Sequence, residues 1–193
     1  MHSDDRVDQF PPRRLETDRL LLRPPEMRDA QDLYGAYAGN PKATHFMSIE
    51  PYRNVAEMRR FLEEVAIPAW ERIGHRGWTI EKKADGTAIG MFRFLRRSET
   101  CLDVGFVLGQ DAWGQGYMTE VLSTVIDRSL DDDPIFRVEA ICHVDDTISQ
   151  RVMEKSGMLR EGRLHKFRVY PAFGGVPQDC YLYAKVKIND DDI

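Results

Sequence analysis

The stretch DVGFVLGQDAWGQGYMTEV, Asp103 to Val121, decides the fold. At its start Leu102, Val104, Phe106 and Leu108 alternate with Asp103 and Gly105, the two-residue period of a strand. Past the stretch the period changes: Val121, Leu122, Val125, Ile126 and Leu130 form a helical stripe. Gly114 and Gly116 lie between the two elements. A loop there leaves a row of unpaired N–H groups at the positive end of a helix dipole, where phosphate binds readily. No Gly-Lys-Ser/Thr follows, so this is not a Walker loop, and the spacing does not fit the dinucleotide fingerprint. The same glycines also suit a plain strand-to-helix turn, and alone they do not separate the two readings.

Working outward, Arg19–Arg23 reads as a strand closed by Pro24-Pro25. Ala30, Leu33, Tyr34 and Tyr37 recur at helical spacing between Met27 and Gly39. Asn54 with Glu57 resembles a capping box ahead of Val55, Met58, Leu62 and Val65, a second helix that Pro68 ends or kinks. Trp78 and Ile80, then Ile89 to Leu95 after the Asp85-Gly86 turn, complete a three-strand meander with Leu102–Leu108. Beyond the central helix, Val138, Ala140, Cys142 and Val144 form a strand. Asp145-Asp146 opens a helix that stops at Gly157. Two strands finish the chain, with FRVYPAFGGVPQ as the long turn between them.

The order is β-α-α-β-β-β-α-β-α-β-β, an α+β fold with about four flanking helices. Only the β-α-β stretch from Leu102 to Val144 demands a parallel crossover, so the sheet is expected to be mixed and mostly antiparallel. The 193 residues suit one domain over 15–188, with a loose arm at 1–14 and an acidic tail at 189–193.

Lys and Arg total 27 against 32 Asp and Glu, a formal net charge of −5. That balance argues against nucleic acid as a partner, since phosphate binding is driven by clustered cations. It leans towards amines and cationic partners. No apolar run approaches the roughly 18 residues of a membrane span, and the opening decapeptide lacks a signal-peptide core. Cys101, Cys142 and Cys180 read as reduced thiols, giving a cytoplasmic expectation. Neither they nor His45, His75, His143 and His165 have metal-ligand spacing, so no metal is expected.

The run W-G-Q-G-Y-x-T-E (Trp113–Glu120) follows D-V-G-F-V-L (Asp103–Leu108) and precedes D-x-x-S-x-R-V-M-E-K-S-G-M (Asp146–Met158). Together they resemble the GNAT superfamily of acyl-CoA-dependent N-acetyltransferases, most of all its RimJ/RimL branch, which includes ribosomal-protein N-terminal acetyltransferases. The likeness extends from LETDRLLLRP (Leu15–Pro24) to DCYLYAKVK (Asp179–Lys187). It implies a single GNAT-like domain with acetyl-CoA as co-substrate. The backbone of Phe106, Val107 and Leu108 would pair with the pantetheine arm. The N–H groups of Gly114, Gln115, Gly116, Tyr117, Met118 and Thr119 would cradle the pyrophosphate. Ser149 matches the serine near the CoA sulfur, a proton donor to the thiolate; the bland alternative is a helix-capping serine. Arg151 would reach the nucleotide end or stay solvated. Asp103 stands where the family usually has glutamate, either a general base through water or an ordinary strand acid.

Three positions depart from the family pattern. Met118 replaces a small residue at the end of the pyrophosphate loop. It is compatible with phosphate approach if its side chain joins the stripe of Val121, Leu122 and Val125. Asp146 replaces an asparagine, putting an anion near a polyanion unless it serves as the helix N-cap. Gly157-Met158 replaces Gly-Phe, a tolerable apolar exchange.

The implied reaction is direct attack of a primary amine on the thioester, the acceptor being a protein or peptide α-amine or a small-molecule amine. It needs a path for the amine proton, donors for the oxyanion, and a proton for the leaving thiolate. Deprotonating an α-amine of pKa about 8 at pH 7 costs ~1.4 kcal/mol, against ~4.6 kcal/mol for a lysine. With no compelling base in the sequence, the weaker amine is favoured. The acceptor pocket is expected from the first two helices and the final hairpin, with Trp78, Phe92, Phe94, Tyr170 and Phe173 as walls. Tyr170 and Phe173 would cover the acceptor or meet a second copy of the chain in a homodimer. The alternative reading is a catalytically silent acyl-CoA-binding sensor or interaction module, favoured by Met118 and Asp146.

Overall fold

The computed structural model describes residues 11–71, 75–131 and 134–188. Eight strands form one sheet: β1 (Leu15–Glu16), β2 (Leu20–Arg23), β3 (His75–Lys82), β4 (Ala88–Arg96), β5 (Cys101–Leu108), β6 (Arg137–His143), β7 (Leu159–Val169) and β8 (Pro177–Val186). Their spatial order is β1-β2-β3-β4-β5-β6-β8-β7. Every pairing is antiparallel except β5 with β6. The fold class is the one expected, α+β with a mixed sheet and one parallel crossover.

Two elements escaped the pattern reading. β1 has only two residues, too few for a period, and exists because Leu15 pairs with Leu22. A short helix, α2 (Pro41–Thr44), starts on a capped proline: Asn40 Oδ1 accepts from Lys42 N–H at 2.9 Å. The first expected helix is three turns of different pitch, a 3-10 turn at Met27–Asp29, α1 (Ala30–Leu33) and a π turn at Tyr34–Ala38. The second, α3 (Val55–Phe61), also widens into a π turn, Leu62–Ala66. Asn54 caps α3, but the Glu57 carboxylate accepts from Arg53 N–H rather than from the cap residue, so the box is displaced by one residue.

The sheet separates two cores. On one face α4 (Tyr117–Leu130) lays Val121, Leu122, Val125 and Ile126 against Leu102, Val104, Val138 and Ala140. Each of these four helix side chains is fully buried and contributes about 1.5–3 kcal/mol. On the other face, Leu33, Met58 and Leu62 pack against Ala88, with Met91 and Val107 at its border. Helix α5 (Thr147–Lys155) ends in a Schellman turn: Met158 N–H donates to Met153 O and Gly157 N–H to Glu154 O. Gly157 has φ +78°, and Met153 and Met158 are both buried, so the motif supplies its own apolar contact. Methionine therefore serves where the family usually has phenylalanine.

Of the arm expected over 1–14, residues 1–10 lie outside the described residues, as does the tail at 189–193. Pro12 and Arg13 are docked: the Pro12 carbonyl accepts from the Trp78 indole at 3.1 Å, and Arg13 lies over the Trp70 ring. No helix among the described residues is long and apolar enough to cross a membrane.

Candidate active site

The parallel pairing of β5 and β6 runs only from Cys101 with Arg137 to Val104 with Ala140. On its other side β5 stays paired with β4 as far as Leu108, and β6 stays paired with β8 as far as His143. The two strands therefore diverge after Val104, leaving the β6-facing edge of Phe106, Val107 and Leu108 without a strand partner. An extended ligand with alternating amide groups can pair there.

A cavity of about 900 Å³ opens over this gap on the side of α4 and α5. Phe106, Val107 and Leu108 form one wall, and Gly114, Gly116, Tyr117, Met118 and Thr119 another. Gly114 and Gly116 have φ +74° and +78°, the left-handed region that L side chains avoid. The N–H groups of Gly114, Gln115 and Gly116 have no backbone acceptor among the described residues. Those of Tyr117, Met118 and Thr119 open α4, where no intrahelical acceptor exists. The loop thus presents a row of free N–H donors at the start of α4, as the start of any helix does. Gln115 contributes only backbone: its side chain donates to Asp111 O, and its carbonyl accepts from Arg19. Met118 is buried in the same core cluster as Val121, Leu122 and Val125, so its side chain joins the α4 stripe. Lys42, Arg151 and Lys155 supply cations at the cavity, and Arg151 is exposed.

Asp146 caps α5, its Oδ1 accepting from Ser149 N–H at 3.0 Å. Ser149 is therefore not the cap, and its hydroxyl has no partner among the described residues. Ser149 and Asp146 also line a second cavity, of about 380 Å³, together with Phe46, Met47, Phe106 and Val107. These six residues border both cavities and mark the junction where β5 and β6 part. The second cavity continues between the π turns and the last hairpin, along Tyr37, Phe61, Val65 and Arg168.

Several expected walls lie elsewhere. Trp78 and Phe94 are core residues, their rings 4.4 Å apart edge to face, and only Phe92 of the five aromatics borders the second cavity. Phe173 and His143 act from behind: His143 stacks on Phe46 at 5.0 Å and on Phe173 at 4.6 Å, fixing Phe46 at the junction. Tyr170 is buried, its hydroxyl 3.2 Å from Cys180 Sγ. Asp103 borders neither cavity. Its Oδ2 accepts from Arg97 at 3.1 Å, and its Oδ1 lies 2.8 Å from Arg93 Nη1, an ion-pair contact without an aligned hydrogen bond.

Burial, with Asp146 and Cys180 adding to it, pushes the Cys142 thiol beside the second cavity up to about 12. It is protonated at neutral pH and is no nucleophile. Sequence reasoning named Arg151 but missed Phe46, Met47 and Arg168, because no local pattern marks them.

A family model described as acetyltransferase (GNAT) domain matches residues 19–159. The chain belongs to this family. The uncharacterized N-acetyltransferase YoaA of Bacillus subtilis (strain 168) is 28% identical over 175 residues, covering 90% of this chain and 96% of YoaA. With the family match, this makes the chain an N-acetyltransferase. Among solved structures, MccE, a microcin C7 self-immunity acetyltransferase in complex with acetyl-CoA and AMP, has a TM-score of 0.78 at 23% identity. That match covers 88% of this chain and 93% of MccE. RimL, the ribosomal L7/L12 alpha-N-protein acetyltransferase in complex with coenzyme A, has a TM-score of 0.73 at 20% identity, covering 88% and 95%. Both likenesses establish the fold of this GNAT chain.

Proposed function

We propose that this GNAT chain takes acetyl-CoA in the larger cavity and transfers its acetyl group to a primary amine entering from the smaller one. The observation that carries the reading is the β5–β6 opening, where an unpaired strand edge meets the N–H cradle of residues 114–119. Pantetheine amides pair with Phe106–Leu108, the pyrophosphate sits on the cradle, and Arg151 lies towards the nucleotide end.

The junction then fixes the chemistry. The amine lone pair attacks the thioester carbonyl, the new C–N bond forms, and the C–S bond breaks. Backbone N–H groups near Phe106–Leu108 stabilise the oxyanion. The Ser149 hydroxyl, uncommitted and at the junction, gives its proton to the departing thiolate and regains one from solvent. Direct attack needs no acyl-cysteine intermediate, and the raised thiol of Cys142 is consistent with that route.

Asp103 is assigned a positioning role rather than that of base, because it borders neither cavity and holds Arg93 and Arg97. The amine proton then leaves through water, which favours an α-amine or another weakly basic amine over lysine. That preference is shared with the α-amine chemistry of the RimJ/RimL branch, the branch this reading keeps. The buried Met118 side chain and the capping role of Asp146 support the enzyme reading over a silent binding module. The test is calorimetric titration with acetyl-CoA, followed by CoA release with an amine panel. Binding with turnover is expected; a folded protein that does not bind acetyl-CoA overturns the assignment.

A further inference from the structure

The chain is acidic overall, yet its smaller cavity is not. Among the described residues three arginines border it, Arg76, Arg93 and Arg168, against one carboxylate, Asp146, whose Oδ1 is committed to the α5 cap. The remaining lining is largely apolar. Each arginine reaches the cavity from a different element. Arg93 on β4 lies across β5 where Gly105 has no side chain: a Cβ there would stand 2.7 Å from Nε and 3.2 Å from Cζ and Nη2. Asp103 holds its Nη1 from outside the cavity. Arg76 on β3 lies over the Trp70 ring. Arg168 on β7 is half-buried and has no carboxylate partner among the described residues; its one aromatic contact, with Phe167, is at 5.8 Å.

Guanidinium groups bordering a largely apolar cavity recognise carboxylate or phosphate, and they repel cations. We infer that the acceptor amine carries an anionic group, carboxylate or phosphate, on an apolar body, and that polyamines and aminoglycosides are excluded. The inference rests on the smaller cavity being the acceptor site. A volume of about 380 Å³ fits a small acceptor, being near the lower end of the ~300–1,000 Å³ of small-molecule sites. The net charge of the chain points the other way. It is a property of the whole surface, whereas selection happens in the cleft.

Paired acceptors test this. CoA release is followed with L-phenylalanine against L-phenylalaninamide, with O-phosphotyramine against tyramine, and with spermidine and kanamycin. The two anionic members distinguish carboxylate from phosphate as the preferred group. At least one is expected to exceed its neutral partner roughly tenfold in kcat/KM, the size of a charge-assisted hydrogen bond, while spermidine and kanamycin stay below both. Arg168→Ala should narrow that ratio to about two, and Arg168→Lys should keep part of it, because the charge remains while the guanidinium fork is lost. Neutral members matching the anionic ones, a preference for spermidine or kanamycin, or a ratio unmoved by Arg168→Ala each overturn the inference. A protein that binds acetyl-CoA and acetylates neither anionic amine also overturns it, leaving the acetyl-CoA assignment intact. Failure to bind acetyl-CoA instead overturns the proposed function beneath it.

Discussion

Arg19 Nε stands 2.7 Å from Glu120 Oε2, and the same guanidinium donates through Nη1 to the Gln115 carbonyl at 3.0 Å. Glu120 Oε1 accepts in turn from Arg19 N–H at 2.9 Å and from the Thr17 hydroxyl, and Arg19 lies 4.4 Å from the Tyr117 ring centroid. The segment between β1 and β2 thus clamps the loop from 114 to 120 from behind. A cradle of N–H groups is useful only if it is rigid before the anion arrives, and this clamp orders its carbonyl side.

Replacing Arg19 should therefore harm binding more than folding. Arg19 is half-exposed, so its ion pair contributes about 1 kcal/mol or less to stability. Arg19→Ala should weaken acetyl-CoA binding by roughly three- to tenfold through loss of order in the loop. Arg19→Lys should not restore it, because one ammonium cannot hold Glu120 and the Gln115 carbonyl in the same fork. Calorimetry on both variants checks this; unchanged affinity in Arg19→Ala would show that the loop holds itself.

Gly116 precedes α4 in the left-handed region, where an L side chain costs roughly 1–2 kcal/mol. Gly116→Ala should incur that loss and reduce acetyl-CoA affinity by more than tenfold. Gly86, at φ +73° in the β3–β4 turn with open space around it, is the control. Gly86→Ala should lose similar stability in urea denaturation and keep its affinity. Equal affinities in the two variants would remove the cradle from the binding site.

Ser149→Ala should lower turnover roughly tenfold or more, with little change in acetyl-CoA affinity, as for a group acting in the transition state. Its melting temperature should stay within a degree or two of the parent, since the hydroxyl has no partner among the described residues and Asp146 makes the cap. A lower melting temperature with normal turnover would return Ser149 to a structural role.

Asp146→Asn should barely move stability or affinity, because asparagine caps about as well as aspartate. Asp146→Ala should lose about 1 kcal/mol in denaturant unfolding. A severalfold gain in acetyl-CoA affinity in the Asn variant, fading with salt, would show instead that the carboxylate faces the cofactor.

Acid should unfold the protein through Asp29. This buried carboxylate pairs with Arg23 at 2.7 Å and accepts from Thr79 at 2.9 Å, tying β2 and β3 to the 3-10 turn at Met27–Asp29. Burial pushes its pKa up, but the bonds from Arg23, the Glu26 N–H and Thr79 outweigh that and hold it below its ordinary value. A depressed carboxylate contributes stability above its unfolded pKa of about 3.9, and that contribution drains away as pH falls through the lower folded value. Asp29→Asn should cost about 1.5–3 kcal/mol at neutral pH, since Arg23 loses one charge-assisted partner but keeps Glu81 at 2.6 Å, and should flatten the acid limb of the stability curve. An unaltered acid limb would place the acid-sensitive group elsewhere.

Much of this molecule is written locally. The two-residue period of Leu102–Leu108, the stripe from Val121 to Leu130 and the glycine at 157 each report a backbone requirement met within a few residues. That is why the element order, the crossover and the loop at 114–119 were legible. Asp146 was legible as a cap for the same reason, as the side chain bonds three residues ahead. The acceptor side was not, because its residues come from strands, helices and loops spread between Tyr37 and Arg168 and obey no shared period. Trp78 and Phe94 look like pocket walls in the sequence and are core, since strand parity alone does not say which face a helix will cover. Asp103 reads in the sequence either as a base or as an ordinary strand acid, and Arg93 and Arg97 pair with it from neighbouring positions. The gap between β5 and β6, and the sign of charge in the cleft beneath it, were decided only when the strands paired. Divergence is a property of two strands at once, and electrostatic selection belongs to the side chains that converge on one space rather than to the chain's total charge.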